Sequence, residues 1–171
     1  IADFIRIVRP TTELFPTTRL SLNGVLRFNF IQLIKEPRGF VPKLIANTST
    51  ATTLKAIQNK SRNTSLGSYF LDLRDPFADT TLLNANLTFQ QDLNFFQKNP
   101  KGDVRFSYFQ NQNKLFLNTG DEFRSLQFYR ASQRLNINDS RSLEAESRIG
   151  IKRLLSEGFP TRNYNIQFWE T

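Results

Sequence analysis

The residues best suited to chemistry lie between positions 103 and 134, where aromatic and basic side chains are interleaved. On a β-sheet, aromatic rings of this kind can stack on a base, a sugar or a pigment ring while arginines bind anionic groups. The residues expected to contact an acidic partner or an aromatic ligand are Arg105, Tyr108, Lys114, Arg124, Tyr129, Arg130 and Arg134. The simpler interpretation is that half of the aromatic residues face a core while the arginines contact solvent.

Catalytic chemistry has little support in this chain, because its 171 residues include no histidine and no cysteine. Histidine is the usual proton shuttle near neutral pH, and cysteine supplies thiolate nucleophiles and metal ligands. Carboxylates and hydroxyls remain, but no glycine-rich phosphate loop and no nucleophile motif accompanies them. The sequence therefore predicts a protein that is not an enzyme, with no catalytic residues and no cofactor. A polysaccharide-processing enzyme that uses carboxylates is the last alternative.

Three aspartates, Asp72, Asp75 and Asp79, are close enough in sequence to suggest a site for a hard cation such as calcium. The segment lacks the glycine and the terminal glutamate of an EF-hand loop, and Arg74 lies inside it. An ion-paired loop is the favoured interpretation, so no metal site is predicted.

The charge of the chain indicates what it binds. Lysine and arginine total 23 against 15 acidic residues, which gives a net charge of +8, and 15 of the 23 are arginine. Such a surface favours nucleic acid, an anionic membrane surface or acidic proteins. No run of five basic residues occurs, so a disordered basic tail is not expected.

The chain is expected to consist of an extended N-terminal arm over residues 1–20 and a single β-rich domain over 21–171. Pro10 and Pro16 favour extended chain in the arm. A polar loop rich in Thr, Ser and Asn is predicted at about 46–68, with room for a short helix at 53–59. Because the chain starts with Ile1, a processed or partial N-terminus is expected, and an organelle, a cell envelope or a virion are all open as locations.

Hydrophobic alternation predicts a mainly β fold, with α+β as its variant. Residues 20–34 read as a strand buried on both faces and opened by a turn at Asn23-Gly24, and 104–117 as a hairpin with a polar turn at 110–113. Further strands are predicted within 82–96, 122–136, 142–152 and 164–168. Together these segments predict one antiparallel sandwich, roll or barrel.

Three functions are consistent with these patterns. The leading hypothesis is a non-enzymatic structural or assembly subunit, of linker or shell type, that binds acidic protein subunits within a larger complex. The second is a nucleic-acid-binding protein of ribosomal or coat type. The third is an outer-membrane β-barrel segment, against which the predicted strands count because most look shorter than the roughly 9–11 residues that span a bilayer. No stretch of 18 apolar residues exists, so no transmembrane helix is predicted.

Overall fold

A computed structural model describes residues 17–30, 38–61, 77, 81–96, 99–138 and 140–171. The elements in chain order are β1 (Thr18–Asn29), α1 (Phe40–Ala46), β2 (Ser49–Lys60), β3 (Leu82–Phe95), β4 (Gly102–Leu117), β5 (Gly120–Asn138), β6 (Arg141–Ser156), the 3₁₀ turn Pro160–Arg162, and β7 (Tyr164–Glu170). The prediction of a mainly β, antiparallel fold is confirmed.

The seven strands form one open sheet in which each strand pairs antiparallel with its neighbour in sequence. Short connections join the strands from β3 to β7, whereas the longer segments 30–48 and 61–81 join β1 to β2 and β2 to β3. Gly120, for example, follows the turn at Asn118-Thr119 with φ of 113°, a backbone conformation that favours glycine. The edges of the sheet in the described part of the chain are therefore β1 and β7.

The sheet has two chemically different faces, which the strand register defines. Residues paired across neighbouring strands point to the same side, and successive residues along a strand alternate. We call the side that carries Tyr108, Tyr129 and Trp169 the apolar face. We call the side that carries Arg105 and Arg130 the arginine face.

The prediction for the first strand is wrong in two respects. Asn23 and Gly24 lie in the middle of β1, opposite Lys55 and Leu54, and make no turn. Most of β1 is exposed rather than buried on both faces. It is an edge strand, and no other described element packs over it. Residues 18–20 of the predicted arm belong to this strand, whereas 1–16 and 31–34 lie outside the described residues.

The polar loop predicted at 46–68 is instead strand β2 over residues 49–60, and no helix forms at 53–59. Its polar side chains bond across the sheet: Thr52 Oγ1 donates to Gln91 Oε1, and Gln91 Nε2 donates to Thr50 Oγ1, both at 2.5 Å. Cross-strand bonds of this kind stabilise a strand that lacks apolar alternation. Residues 62–68 lie outside the described residues.

The predicted hairpin at 104–117 is also wrong, because β4 continues without interruption through 110–113. Asn111 pairs with Thr88 on one side and with Leu126 on the other. Its amide nitrogen also donates to Thr88 Oγ1 at 2.8 Å. The polar run is therefore a central strand, and the chain reverses at 118–119.

Few large apolar side chains are buried in the described part of the molecule. Its buried hydrophobic residues are Ala46, Leu82, Ala85 and Phe123. Leu82, Ala85 and Phe123 lie near the end of the sheet where β4 turns into β5, and Ala46 lies at the opposite end, so most of both faces is open. None of the described helices has the length and apolarity needed to cross a membrane.

Candidate interaction surface

The sheet separates the residues predicted to bind a partner. Tyr108 and Tyr129 pair directly with each other on the apolar face. The arginines predicted with them lie on the opposite face, at positions Arg105, Arg124, Arg130 and Arg134. Rings and guanidinium groups therefore cannot contact one small ligand together. The aromatic–basic segment provides two surfaces instead of one.

Lys114 lies apart from the other predicted residues. It is on the apolar side near the end of the sheet, with a side chain that is fully buried. Its Nζ lies 2.7 Å from Asp121 Oδ2 and 6.0 Å from the centre of the Phe77 ring. In this position Lys114 stabilises the turn end of β4 and β5 and does not reach an external partner.

The apolar face carries a row of four large side chains that crosses four strands. Tyr108, Tyr129, Ile149 and Trp169 occupy directly paired positions on β4, β5, β6 and β7. Tyr129, Ile149 and Trp169 are 64%, 61% and 74% exposed, and the Tyr108 and Tyr129 ring centres lie 5.0 Å apart. Contiguous exposed apolar groups of this kind mark interaction surfaces on globular proteins.

This row forms the floor of an open groove of about 490 Å³, which extends towards Leu93 and Phe106. Phe106 packs edge-to-face on Phe95, with ring centres 5.9 Å apart. The amide of Gln91 interrupts the apolar lining at one side. The groove is therefore hydrophobic with a few hydrogen-bonding groups, as protein-binding surfaces are.

Tyr108 is the most enclosed member of the row. Burial raises the pKa of its phenol, and the neighbouring Tyr129 raises it further. Its hydroxyl donates to Gln110 Oε1 at 2.9 Å. Tyr108 is therefore neutral at physiological pH and forms a fixed part of the floor of the groove.

The arginine face is a network of ion pairs along strands β5, β6 and β7. Glu146 accepts hydrogen bonds from Arg130 and from Arg148, whose Nε lies 2.6 Å away. Arg148 also lies 3.7 Å from Glu170 on β7. Partial burial raises the pKa of Glu146, but the two arginines outweigh that effect and hold its pKa below the ordinary value. The Glu146 carboxylate therefore stays ionised and forms ion pairs with both arginines.

Other arginines of this face are more accessible. Arg124 Nε lies 2.5 Å from Glu122, but its side chain is 64% exposed. Arg134 is 4.0 Å from Glu144, with both side chains more than half exposed. A pair exposed on both sides, such as Arg134–Glu144, contributes little to stability, about 0–1 kcal/mol. The guanidinium group of Arg134 can therefore contact a second molecule at little cost to the fold.

The sequence did not single out a band of phenylalanines that crosses the arginine face. Phe109, Phe128, Gly150 and Phe168 occupy paired positions, and the Phe109 and Phe128 rings stack with centres 5.0 Å apart. The ring of Phe168 covers Gly150, because a Cβ atom there would lie 2.7 Å from its Cζ. The band therefore packs apolar side chains across strands β4 to β7 on this face.

Ile149 and Trp169 were likewise missing from the predicted binding residues. The alternation within 142–152 could have found Ile149, and extending the alternation of 164–168 by one residue could have found Trp169. Only the cross-strand register shows that Ile149 and Trp169 lie on the same face of the sheet as Tyr129. Among the described residues no three carboxylates cluster in a way that could hold a metal ion, and Asp72, Asp75 and Asp79 lie outside that part.

Comparison with known protein families, with curated proteins and with solved structures gives no match.

Proposed function

We propose that this chain is a non-enzymatic structural subunit, of linker or shell type, whose apolar face packs against another protein in a larger assembly. The supporting observation is the exposed row of Tyr129, Ile149 and Trp169 on a sheet that buries few apolar side chains in its described part. Burying apolar surface contributes roughly 25 cal/mol per Å², so covering this face would stabilise the sheet considerably.

The partner is expected to be acidic where it meets the arginine side. The net charge of +8 and the exposed side chains of Arg124 and Arg134 support this expectation. Exposed charges of this kind mainly increase the association rate and select the partner, while apolar contacts supply most of the affinity. The acidic subunit is therefore expected to show salt-dependent association.

A matched pair of isoleucines tests the role of the apolar face. Ile149 on the apolar face and Ile166 on the opposite face are 61% and 51% exposed. Ile149→Ser should weaken assembly, measured by native mass spectrometry of the complex from its source, whereas Ile166→Ser should leave it unchanged. A wild-type protein that is a stable, partner-free monomer at physiological salt would count against the proposal.

An outer-membrane segment, with the apolar face in contact with lipid, is the second candidate. The observation in its favour is strand length: β3 to β6 contain between 14 and 19 residues, so the expectation of strands too short to span a bilayer is wrong. Gln91 and Gln110 on the same face favour a protein partner, because amides are costly to bury in hydrocarbon.

Trp169, the only tryptophan, separates these two candidates. Lipid contact predicts a blue shift of its emission when phospholipid vesicles are added, and quenching by brominated acyl chains. A protein partner predicts no change with vesicles. The nucleic-acid alternative predicts binding that weakens steeply with salt, and the pairing of Arg130 and Arg148 with Glu146 reduces the charge available for phosphate.

A further inference from the structure

A polar pocket lies at one end of the sheet, between the turn that joins β3 to β4 and the turn that joins β5 to β6. Its volume is about 550 Å³, within the range of roughly 300–1,000 Å³ that is typical of small-molecule sites. We call it the turn pocket. None of its described lining residues is acidic. Its lining includes three cations, two hydroxyl groups and an amide, from Lys101, Arg134, Arg141, Ser140, Ser142 and Asn136.

The turn between β3 and β4, which forms one wall of the turn pocket, is held against β5. Asn136 donates twice to it, from its backbone amide to the Lys101 carbonyl at 2.8 Å and from Nδ2 to the Pro100 carbonyl at 2.7 Å. Gly102 lies so close to β5 that a Cβ atom there would be 2.2 Å from the Arg134 carbonyl oxygen. The backbone that carries Lys101 is therefore fixed relative to Arg134, and such preorganisation lowers the entropic cost of binding a ligand.

The turn between β5 and β6 forms the other wall of the turn pocket. Asn138 Oδ1 accepts hydrogen bonds from the backbone amide and the hydroxyl of Ser140, each at 3.2 Å. These bonds hold Ser140, the residue before Arg141, in place. Ser142 pairs with Asn136, so its hydroxyl lies on the arginine face beside that amide.

The cations of the turn pocket are not neutralised within the described part of the chain. There, neither Lys101 nor Arg141 forms an ion pair with an acidic side chain, and both residues are exposed. Arg134 is 4.0 Å from Glu144, in a pair that is more than half exposed on both sides. Asp139, in the same turn, lies outside the described residues. Cations gathered in this way favour an anion, and guanidinium, ammonium and hydroxyl donors suit the oxygens of phosphate.

We propose that the turn pocket binds a phosphate group, either as inorganic phosphate or as the phosphate monoester of a small polar molecule. Arg134 and Arg141 offer paired N–H donors that match phosphate oxygens, and Lys101 adds a third positive charge. The exposed row of the apolar face takes no part in this site. The inference therefore goes beyond the proposed function and does not rest on it.

Titration of the full chain with inorganic phosphate, at an ionic strength held constant with chloride, tests the proposal. The ¹⁵N amide resonances of Lys101 and of residues 140–142 should shift and saturate in the millimolar range. Lys101→Gln and Arg141→Gln should each raise the dissociation constant about two- to fivefold, as expected for the loss of one exposed charge pair. Both positions are exposed, so these variants should keep the unfolding midpoint of the wild type.

Lys152→Gln is the matched control. It removes one exposed cation from the same face of β6, nearer the opposite end of that strand, and should leave the dissociation constant unchanged. Absent or unsaturable shifts would overturn the proposal. An equal loss of affinity in Lys152→Gln and Arg141→Gln would overturn it as well, because phosphate would then respond only to the net charge of +8.

A parallel titration with glycerol 3-phosphate distinguishes the two sources of the phosphate group. Tighter binding than that of inorganic phosphate supports a monoester as the ligand, and equal binding supports the free ion. Asp139→Asn should bind phosphate at least as tightly as the wild type, because it removes a negative charge from this turn. Weaker binding by that variant would also overturn the proposal.

Discussion

At the residue scale, Gly150 has no room for a side chain. A Cβ atom there would lie 2.3 Å from the Gln127 carbonyl oxygen and 2.6 Å from Phe128 Cβ, so both the strand and the phenylalanine band would have to move. Gly24 is the matched control, because a Cβ atom there meets nothing within 4 Å.

We therefore expect Gly150→Ala to lower the free energy of unfolding by about 1–3 kcal/mol, as overpacking does. Gly24→Ala should be neutral or stabilising by up to about 1 kcal/mol, because alanine loses less backbone entropy than glycine. Urea unfolding of the two variants beside the wild type gives both values. Equal effects of the two substitutions would show that Phe168 does not pack over Gly150.

Glu146 gives the fold a defined acid dependence. Its pKa is lower in the folded chain than in the unfolded chain, so its contribution to stability is complete above the unfolded value and is lost as the pH falls through the folded value. Glu146→Gln should therefore flatten the decline in unfolding free energy below about pH 4.5, the region of the ordinary glutamate pKa. Urea midpoints at a series of pH values measure this.

The control for that series is Glu144→Gln on the same strand. Its partner Arg134 is 4.0 Å away and both side chains are largely exposed, so the substitution should change stability by less than about 1 kcal/mol at neutral pH. If Glu146→Gln were as harmless at neutral pH and left the acid dependence unaltered, the network with Arg130 and Arg148 would not contribute to the fold.

At the element scale, the middle of β4 distinguishes a continuous strand from a hairpin. Residues 110–113 pair with β3 and β5, so their amides should exchange with deuterium as slowly as those of 104–109. The turn at 118–119 should exchange quickly and serves as the internal reference. Fast hydrogen–deuterium exchange at 110–113 would instead support the turn that the sequence predicts there.

The sequence predicts those strands whose two sides differ in polarity. In β3, Leu87 and Phe89 alternate with Asn86 and Thr88, and the predicted strand is confirmed. In β4, Gln112 lies on the apolar side and Asn111 on the other, so the polar residues are consecutive and resemble a turn. The run of threonines in β2 likewise consists of consecutive polar residues and therefore resembles a loop. Hydrogen bonds between its hydroxyl groups and the amide of Gln91 stabilise it as a strand.

The candidate site was predictable in location but not in arrangement. Alternation within β4 already separates Arg105 from Tyr108. Which residues of β5, β6 and β7 join each side depends on turn lengths and on the irregularity between Asn136 and Asn138. Long-range register of that kind is set by packing between strands, and local residue patterns do not encode it.

At the scale of the whole molecule, the exposure of the apolar face predicts that removing a large aromatic side chain there costs little stability. Trp169 is large but 74% exposed, so Trp169→Ser should lower the free energy of unfolding of the isolated chain by less than about 1 kcal/mol. Phe123→Ala, at one of the few buried apolar positions, should cost about 3–5 kcal/mol. Thermal or urea unfolding measures both, and a large loss for Trp169→Ser would mean that the face is covered within the chain itself.

The order of the strands in the sheet is the same as their order in the chain, so each ladder joins only neighbours in sequence. A cut of the backbone at residues 99–101 would therefore leave two fragments that a single ladder, the one between β3 and β4, holds together. A sheet with this strand order can gain or lose a strand at either edge without any change in the pairing of the strands that remain.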